Sequence, residues 1–228
     1  MSTVVLSGSL GSTAAMWDPQ LPALREHEVI AVEHPGHGGA PVSDAQSVDD
    51  LAAHVLETVD ADTFSFVGLS LGGAVGMRLA LDAPERIDRL VLACTAPRFG
   101  EPAGWEERAA TVRARGLAPV ADLVLPRWFT PAFDDVERYR AMMLSIDPEG
   151  YARCCELLAR FDVEAKLAAI SVPTLVISGA EDPTTPPATG AAIASRIPGA
   201  RHEVIDVAAH LANVERPDAF NQLLKEHL

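Results

Sequence analysis

The stretch Phe66-Val67-Gly68-Leu69-Ser70-Leu71-Gly72-Gly73-Ala74 joins the end of an apolar run to a Gly-x-Ser-x-Gly core and then to small residues that begin a helix. Phe64 to Val67 read as the end of a buried strand, and Leu71 to Ala83 as the helix that follows. Between them Gly68 and Gly72 let two backbones meet closely around a sharp turn. A strand, a tight turn and a helix with serine at the apex make a nucleophile elbow, which lifts the Ser70 hydroxyl above the edge of a sheet. The same residues also describe a glycine-rich turn whose serine merely caps the helix. The choice between the two rests on whether partners for Ser70 follow.

They do, at two strand ends. Val172-Pro173-Thr174-Leu175-Val176-Ile177-Ser178-Gly179-Ala180-Glu181-Asp182-Pro183 is an apolar, β-branched run opening into a loop, so Asp182 falls just past the end of a strand. Arg201 to Asp206 hold another short strand, and Val207-Ala208-Ala209-His210-Leu211 leads from it into a helix. Open α/β sheets gather their chemistry along that edge. Taken singly, Asp182 also fits a turn former before Pro183, and His210 a capping or solvated histidine. Together, in the order Ser, Asp, His, they supply a nucleophile, a base and an acid that orients the base.

Composition agrees with one enzyme-sized domain. The 228 residues are 48% hydrophobic, enough for a substantial core. No stretch approaches the length of a membrane span, and Met1-Ser2-Thr3-Val4-Val5-Leu6 lacks the basic start of a signal peptide, so the expected location is the cytoplasm. A formal net charge of −14 disfavours nucleic acid and anionic membrane as partners. It also means that an anionic substrate needs a local basic pocket. Cys94, Cys154 and Cys155 have the spacing of neither a zinc site nor a disulfide framework and read as buried thiols.

Strand and helix alternate along the chain, which predicts an α/β fold with a mostly parallel sheet covered on both faces. Strands are expected near Val4–Ser7, Glu28–Glu33, Phe64–Val67, Leu90–Ala93, Thr174–Ser178 and Glu203–Ile205, with helices at Val48–Val59, Leu71–Ala83, Ala188–Ile197 and Pro217–His227. The alternation stops between Pro97 and Ile170, where helices are expected near Gly104–Arg115, Pro119–Leu125, Asp134–Ser145 and Pro148–Arg160. Residues 1–96 and 171–228 therefore read as the core, and 97–170 as a helical cap over the catalytic edge that shapes the pocket and excludes water.

The first loop, Ser7-Gly8-Ser9-Leu10-Gly11-Ser12, can turn a backbone N–H toward the serine. With the N–H of Leu71 it would form an oxyanion hole, the second donor being Ser9 or, failing that, Leu10. Glu33-His34-Pro35-Gly36-His37-Gly38-Gly39 places two histidines in a glycine-rich loop. Lacking a third ligand at suitable spacing, it reads as a tight turn at the upper edge of the sheet rather than a metal site.

The chain resembles the α/β-hydrolase superfamily and, within it, the 3-oxoadipate enol-lactonases of the β-ketoadipate pathway for aromatic breakdown. The broad likeness rests on the elbow, Asp182 and His210. The narrower one rests on the first loop running to Met16-Trp17-Asp18, Arg127-Trp128-Phe129-Thr130-Pro131 with Phe133, Gly150-Tyr151-Ala152-Arg153-Cys154-Cys155, Asp182-Pro183-Thr184-Thr185-Pro186-Pro187, and Ala209-His210-Leu211-Ala212-Asn213-Val214-Glu215. Against that family this sequence starts at the third strand, without the antiparallel hairpin that usually opens the fold. The strand at Glu28–Glu33 becomes a free edge, and self-association into a homo-oligomer is the expectation. Pro35 stands where the subgroup has arginine.

The resemblance implies a small anionic lactone as substrate, 3-oxoadipate as product, and no metal or organic cofactor. Ser70, Asp182 and His210 would be catalytic, with Leu71, Ser9 and Leu10 supplying the oxyanion hole. Arg127 is the candidate partner for the substrate carboxylate and Trp128 the wall beside it. Arg127 equally fits a solvated cap residue, and Trp128 a packing anchor. Trp17, Cys154 and Cys155 read as core. A broad carboxylesterase or carbon–carbon bond hydrolase, and a non-enzymatic small-molecule sensor, keep the same triad and remain alternatives.

Overall fold

A computed structural model describes residues 1–228. Six strands form a single sheet: β1 (Thr3–Ser7), β2 (Glu28–Val32), β3 (Phe64–Leu69), β4 (Ile87–Ala93), β5 (Thr174–Gly179) and β6 (Arg201–Ile205). Their order across the sheet is β2-β1-β3-β4-β5-β6, and every pairing is parallel. Because all six run the same way, their C-terminal ends lie along one edge. There the registers align Ser7 with Gly68, Leu69 with Ala93, and Gly179 with Ile205.

Buried in full, β1, β3 and β5 show the near-continuous apolar runs of strands covered on both faces. The two outer strands, β2 and β6, are partly exposed. β2 lies at one edge of this sheet and β6 at the other.

Helices α1 (Val48–Thr58), α2 (Leu71–Asp82), α7 (Pro187–Arg196) and α9 (Pro217–His227) connect and flank the strands, with a short α8 (Ala212–Glu215) before the last. Ser47 and Asp50 close a reciprocal capping box at the start of α1. The small residues of α2 let it sit deep against the sheet, and nearly all of it is buried.

Between β4 and β5 come four helices: α3 (Pro102–Arg115), α4 (Ala118–Trp128), α5 (Val136–Leu144) and α6 (Pro148–Arg160). The expected end of α4 at Leu125 is corrected to Trp128. Pro126 lies in its last turn, where the missing N–H breaks the ladder only at the frayed end of the helix. A 3₁₀ segment, Ala14–Leu24, carries two prolines and so escapes a helical pattern in the sequence. It holds Trp17 at 6.2 Å from Phe220, in the core as expected. One continuous apolar cluster runs through the sheet, the flanking helices and the cap. No helix is long and apolar enough to cross a membrane.

Candidate active site

Ser70 sits between β3 and α2 with φ 57° and ψ −110°, a backbone region that L-residues rarely occupy. The tightness of the turn explains the neighbouring glycines. A Cβ on Gly68 would lie 2.2 Å from the Gly72 carbonyl oxygen, and one on Gly72 2.0 Å from that of Ser7. The strained residue is held from both sides: its amide donates to the Ala93 carbonyl at 2.9 Å, and its carbonyl accepts from Thr95 Oγ1 at 2.7 Å.

Asp182 follows β5, and His210 lies in the loop after β6, as their strand-end positions predict. Asp182 Oδ2 lies 2.7 Å from His210 Nδ1. The remaining lone pairs of the carboxylate are filled by the amides of Thr184 and Thr185, at 2.7 and 3.1 Å, and by Thr185 Oγ1 at 2.6 Å. Burial alone would raise the Asp182 pKa, but His210 and these Thr185 bonds outweigh it and hold the carboxyl below its ordinary value. An ionised Asp182 fixes the proton of the neutral imidazole on Nδ1 and leaves the Nε2 lone pair free. The hydrogen bonds of His210 in this resting site run to Asp182 and, at 3.4 Å, to Thr185.

Ser70 and His210 share the wall of a cavity of about 460 Å³ with Ser9, Leu10, Arg127 and Trp128. That is the size of a small-molecule site. In the first loop the Gly11 amide is committed to His37 Nε2 at 3.2 Å and the Ser12 amide to the Ser9 carbonyl at 3.0 Å. The amides of Ser9 and Leu10 make no such bond and both residues line the cavity, while Leu71 opens α2 directly after Ser70. Arg127 is exposed at the margin of the cavity. Trp128 is buried, lines it, and also packs against Gly11.

Several supporting contacts are not legible in the sequence. His34 and His37 brace the first loop: His34 Nε2 lies 2.8 Å from the Gly8 carbonyl, and His37 holds Gly11 while its Nδ1 lies 2.9 Å from the Pro35 carbonyl. Desolvation lowers their pKa values to about 4 and about 3, so both are neutral at physiological pH. Glu215 joins the cap to the histidine loop. One carboxylate oxygen accepts the Thr130 amide at 2.9 Å and the Thr130 hydroxyl, and the other accepts the Ala209 amide at 2.8 Å. Thr185 had a local signal, an Asp followed two and three residues later by threonines, which is the pattern of a side-chain-capped turn. The histidine turn and the Ala209–Glu215 stretch are visible in the sequence, but not the partners: Thr95 on Ser70, His34 and His37 on the first loop, and Glu215 on Thr130 each act across at least 25 residues. The thiols are inert: all three cysteines are buried, and burial pushes Cys154 up to about 12.

Known proteins resemble this chain over nearly its whole length. 3-Oxoadipate enol-lactonase 2 of Acinetobacter baylyi is 38% identical over 233 residues, covering 97% of this chain and 86% of that protein. The crystal structure of the enol-lactonase from Burkholderia xenovorans LB400 superposes with a TM-score of 0.95 at 37% identity, covering 99% of this chain and 90% of that one. A thermophilic esterase from Thermogutta terrifontis, solved with malate bound, gives a TM-score of 0.90 at 30% identity, with coverage of 99% and 89%. Residues 4–223 match the model of the alpha/beta hydrolase family. With its parallel sheet, its serine turn and this span of likeness, the chain belongs to the alpha/beta hydrolase family.

Proposed function

We propose that this protein hydrolyses 3-oxoadipate enol-lactone to 3-oxoadipate through a Ser70–His210–Asp182 triad. The observation that carries the triad is the buried 2.7 Å contact between Asp182 and His210 on the wall of a cavity that Ser70 shares. Likeness to two enol-lactonases supports the substrate.

His210 Nε2 takes the Ser70 proton as Oγ attacks the lactone carbonyl, the hydrogen bond between them forming when substrate fills the cavity. The oxyanion is received by the amides of Leu71 and of Ser9 or Leu10, an arrangement worth a few kcal/mol in the transition state. Collapse of the tetrahedral intermediate breaks the ring C–O bond. The enolate oxygen takes the proton back from His210 and the enol relaxes to the ketone, still tethered as an acyl-enzyme. Water, deprotonated by His210, then releases the carboxylic acid and restores Ser70. Arg127 offers positive charge to the anionic substrate and Trp128 shapes the wall beside it. The likeness to a thermophilic esterase keeps a broader carboxylic ester hydrolase as the second reading.

The test is the ultraviolet decay of the enol-lactone with the native protein and with Ser70→Ala, corrected for spontaneous hydrolysis. Turnover that falls by at least about 10⁴-fold in the variant supports the proposal. A folded native protein that turns over neutral esters but not the lactone selects the second reading.

A further inference from the structure

The cavity concentrates positive charge in a chain whose overall balance is strongly acidic. Its wall carries three guanidinium groups, Arg98, Arg108 and Arg127, and one carboxylate, Glu101. Arg98 is spoken for, paired with Glu101 at 2.7 Å. Elsewhere in the cap arginines find carboxylates freely: Arg113 meets Glu149 and Glu156, Arg140 meets Asp122, and Arg153 meets Glu149. Arg108 and Arg127 meet none, nor do Arg115 and Arg160 away from the cavity, although the chain holds 32 acidic residues against 18 basic ones.

The two differ in setting. Arg127 is exposed, while Arg108 is half-buried on α3, on the helix face that also presents Gly104 and Trp105 to the cavity. The Arg108 guanidinium lies over the Trp105 ring at 4.6 Å from its centroid and faces the buried Tyr151 phenol. A guanidinium held over an aromatic face by cation–π attraction still has N–H groups to offer a ligand. A partly desolvated cation without a counter-ion is unfavourable unless a ligand supplies one. A planar fork is matched by a carboxylate, which takes two parallel hydrogen bonds.

We propose that Arg108 is the specificity-determining anchor for the free carboxylate of the substrate, with Arg127 attracting the anion at the cavity margin. The assignment rests on reading the site as a hydrolase of anionic acyl substrates, and it places the non-reacting end of the substrate under α3, away from the Ser70 end of the cavity. A neutral ester of equal length would leave Arg108 unpaired and bind more weakly.

The experiment compares the mono-p-nitrophenyl ester of adipic acid with p-nitrophenyl hexanoate, its length-matched neutral counterpart, on the native protein, Arg108→Gln, Arg108→Lys and Arg127→Gln. The readout is the ratio of the two KM values, which a general loss of fold does not move. Arg108→Gln is expected to raise KM for the anionic ester relative to the neutral one by at least about tenfold, the range for a hydrogen bond to a charged group. Arg108→Lys should recover part of that, having the charge but not the fork. Arg127→Gln should move the ratio only a few-fold, and only at low salt. An unchanged ratio in Arg108→Gln, or a larger change in Arg127→Gln, overturns the assignment. Independently of turnover, adipate should raise the Tm of the native protein and not that of Arg108→Gln, whereas adipamide should raise neither; a native protein that adipate leaves unstabilised also overturns it. Hydrolysis of the enol-lactone with an unchanged KM ratio would remove Arg108 and leave the lactonase reading. No lactone hydrolysis with a shifted ratio would do the reverse.

Discussion

The C-terminal edge of the sheet and the helical segment between β4 and β5 share one apolar core but add different contacts to it. Along the edge, five parallel pairings place Ser70, Asp182, His210 and the first loop in fixed relation, and the strands beneath are apolar and buried. Close backbone approach at Gly68 and Gly72 leaves no room for adjustment. In the cap, α3 and α6 are joined by exposed ion pairs through Arg113, and a stack of Phe129 on Phe133 at 4.2 Å, flanked by Tyr139, fills the region after α4. The first arrangement is fixed by backbone meeting backbone. The second is fixed by side chains, several of them exposed, and it supplies part of the cavity wall.

The strongest way to break this contrast is to strike the edge itself. Gly68→Ala should cost at least about 3 kcal/mol in urea unfolding or abolish soluble protein, because its methyl would collide with backbone rather than with a movable side chain. A variant of near-native stability would show that the turn can relax and that the edge is no more rigid than the cap.

Asp182→Asn separates geometry from chemistry at the same edge. The amide can keep the Thr184 and Thr185 contacts, so unfolding should change modestly while kcat falls by roughly 10⁴-fold through the wrong imidazole tautomer. Retention of most of the activity would remove Asp182 as the orienting acid.

Glu215 tests the seam between the two regions. Glu215→Ala frees Thr130 on the cap side and Ala209 beside His210, and should lower kcat roughly tenfold or more while costing about 1–3 kcal/mol. Equal activity in stopped-flow assays would mean that the cap does not position the histidine.

The loop after β2 predicts an acid response. His34 and His37 ionise near 6.5 when unfolded but only near 4 and 3 when folded, so between those values the unfolded chain binds the extra protons. Their contribution to stability is complete above about pH 6.5 and is lost as pH falls toward the folded values, with a slope approaching roughly 1.4 kcal/mol per pH unit for each histidine. Urea unfolding across that interval should show a shallower slope in His37→Gln than in the native protein; parallel slopes would place the titration elsewhere.

The smallest effect is expected in the cap. Arg113→Ala removes partly exposed pairs with Glu149 and Glu156 and should change stability by no more than about 1 kcal/mol, leaving the tautomer and the edge untouched. A loss several times larger in thermal unfolding would make the cap as cooperative as the sheet.

The sequence by itself determined the sheet, the elbow and the strand-end placement of Asp182 and His210. Each of these is written in local apolar periodicity and in small residues that a sharp turn demands. Alternation of strand and helix stops between Pro97 and Ile170, and there the structure has α3 to α6 in succession. Only the tertiary structure decided what holds the site in place: Thr95 on the Ser70 carbonyl, His34 and His37 on the first loop, Glu215 between cap and histidine loop, and two cavity arginines without counter-ions. The physical reason is range. A strand or a turn is specified by neighbours a few residues apart. A buried hydrogen bond from Glu215 to Thr130, or a cation left unpaired among many acids, is fixed by segments that meet only after the chain has folded.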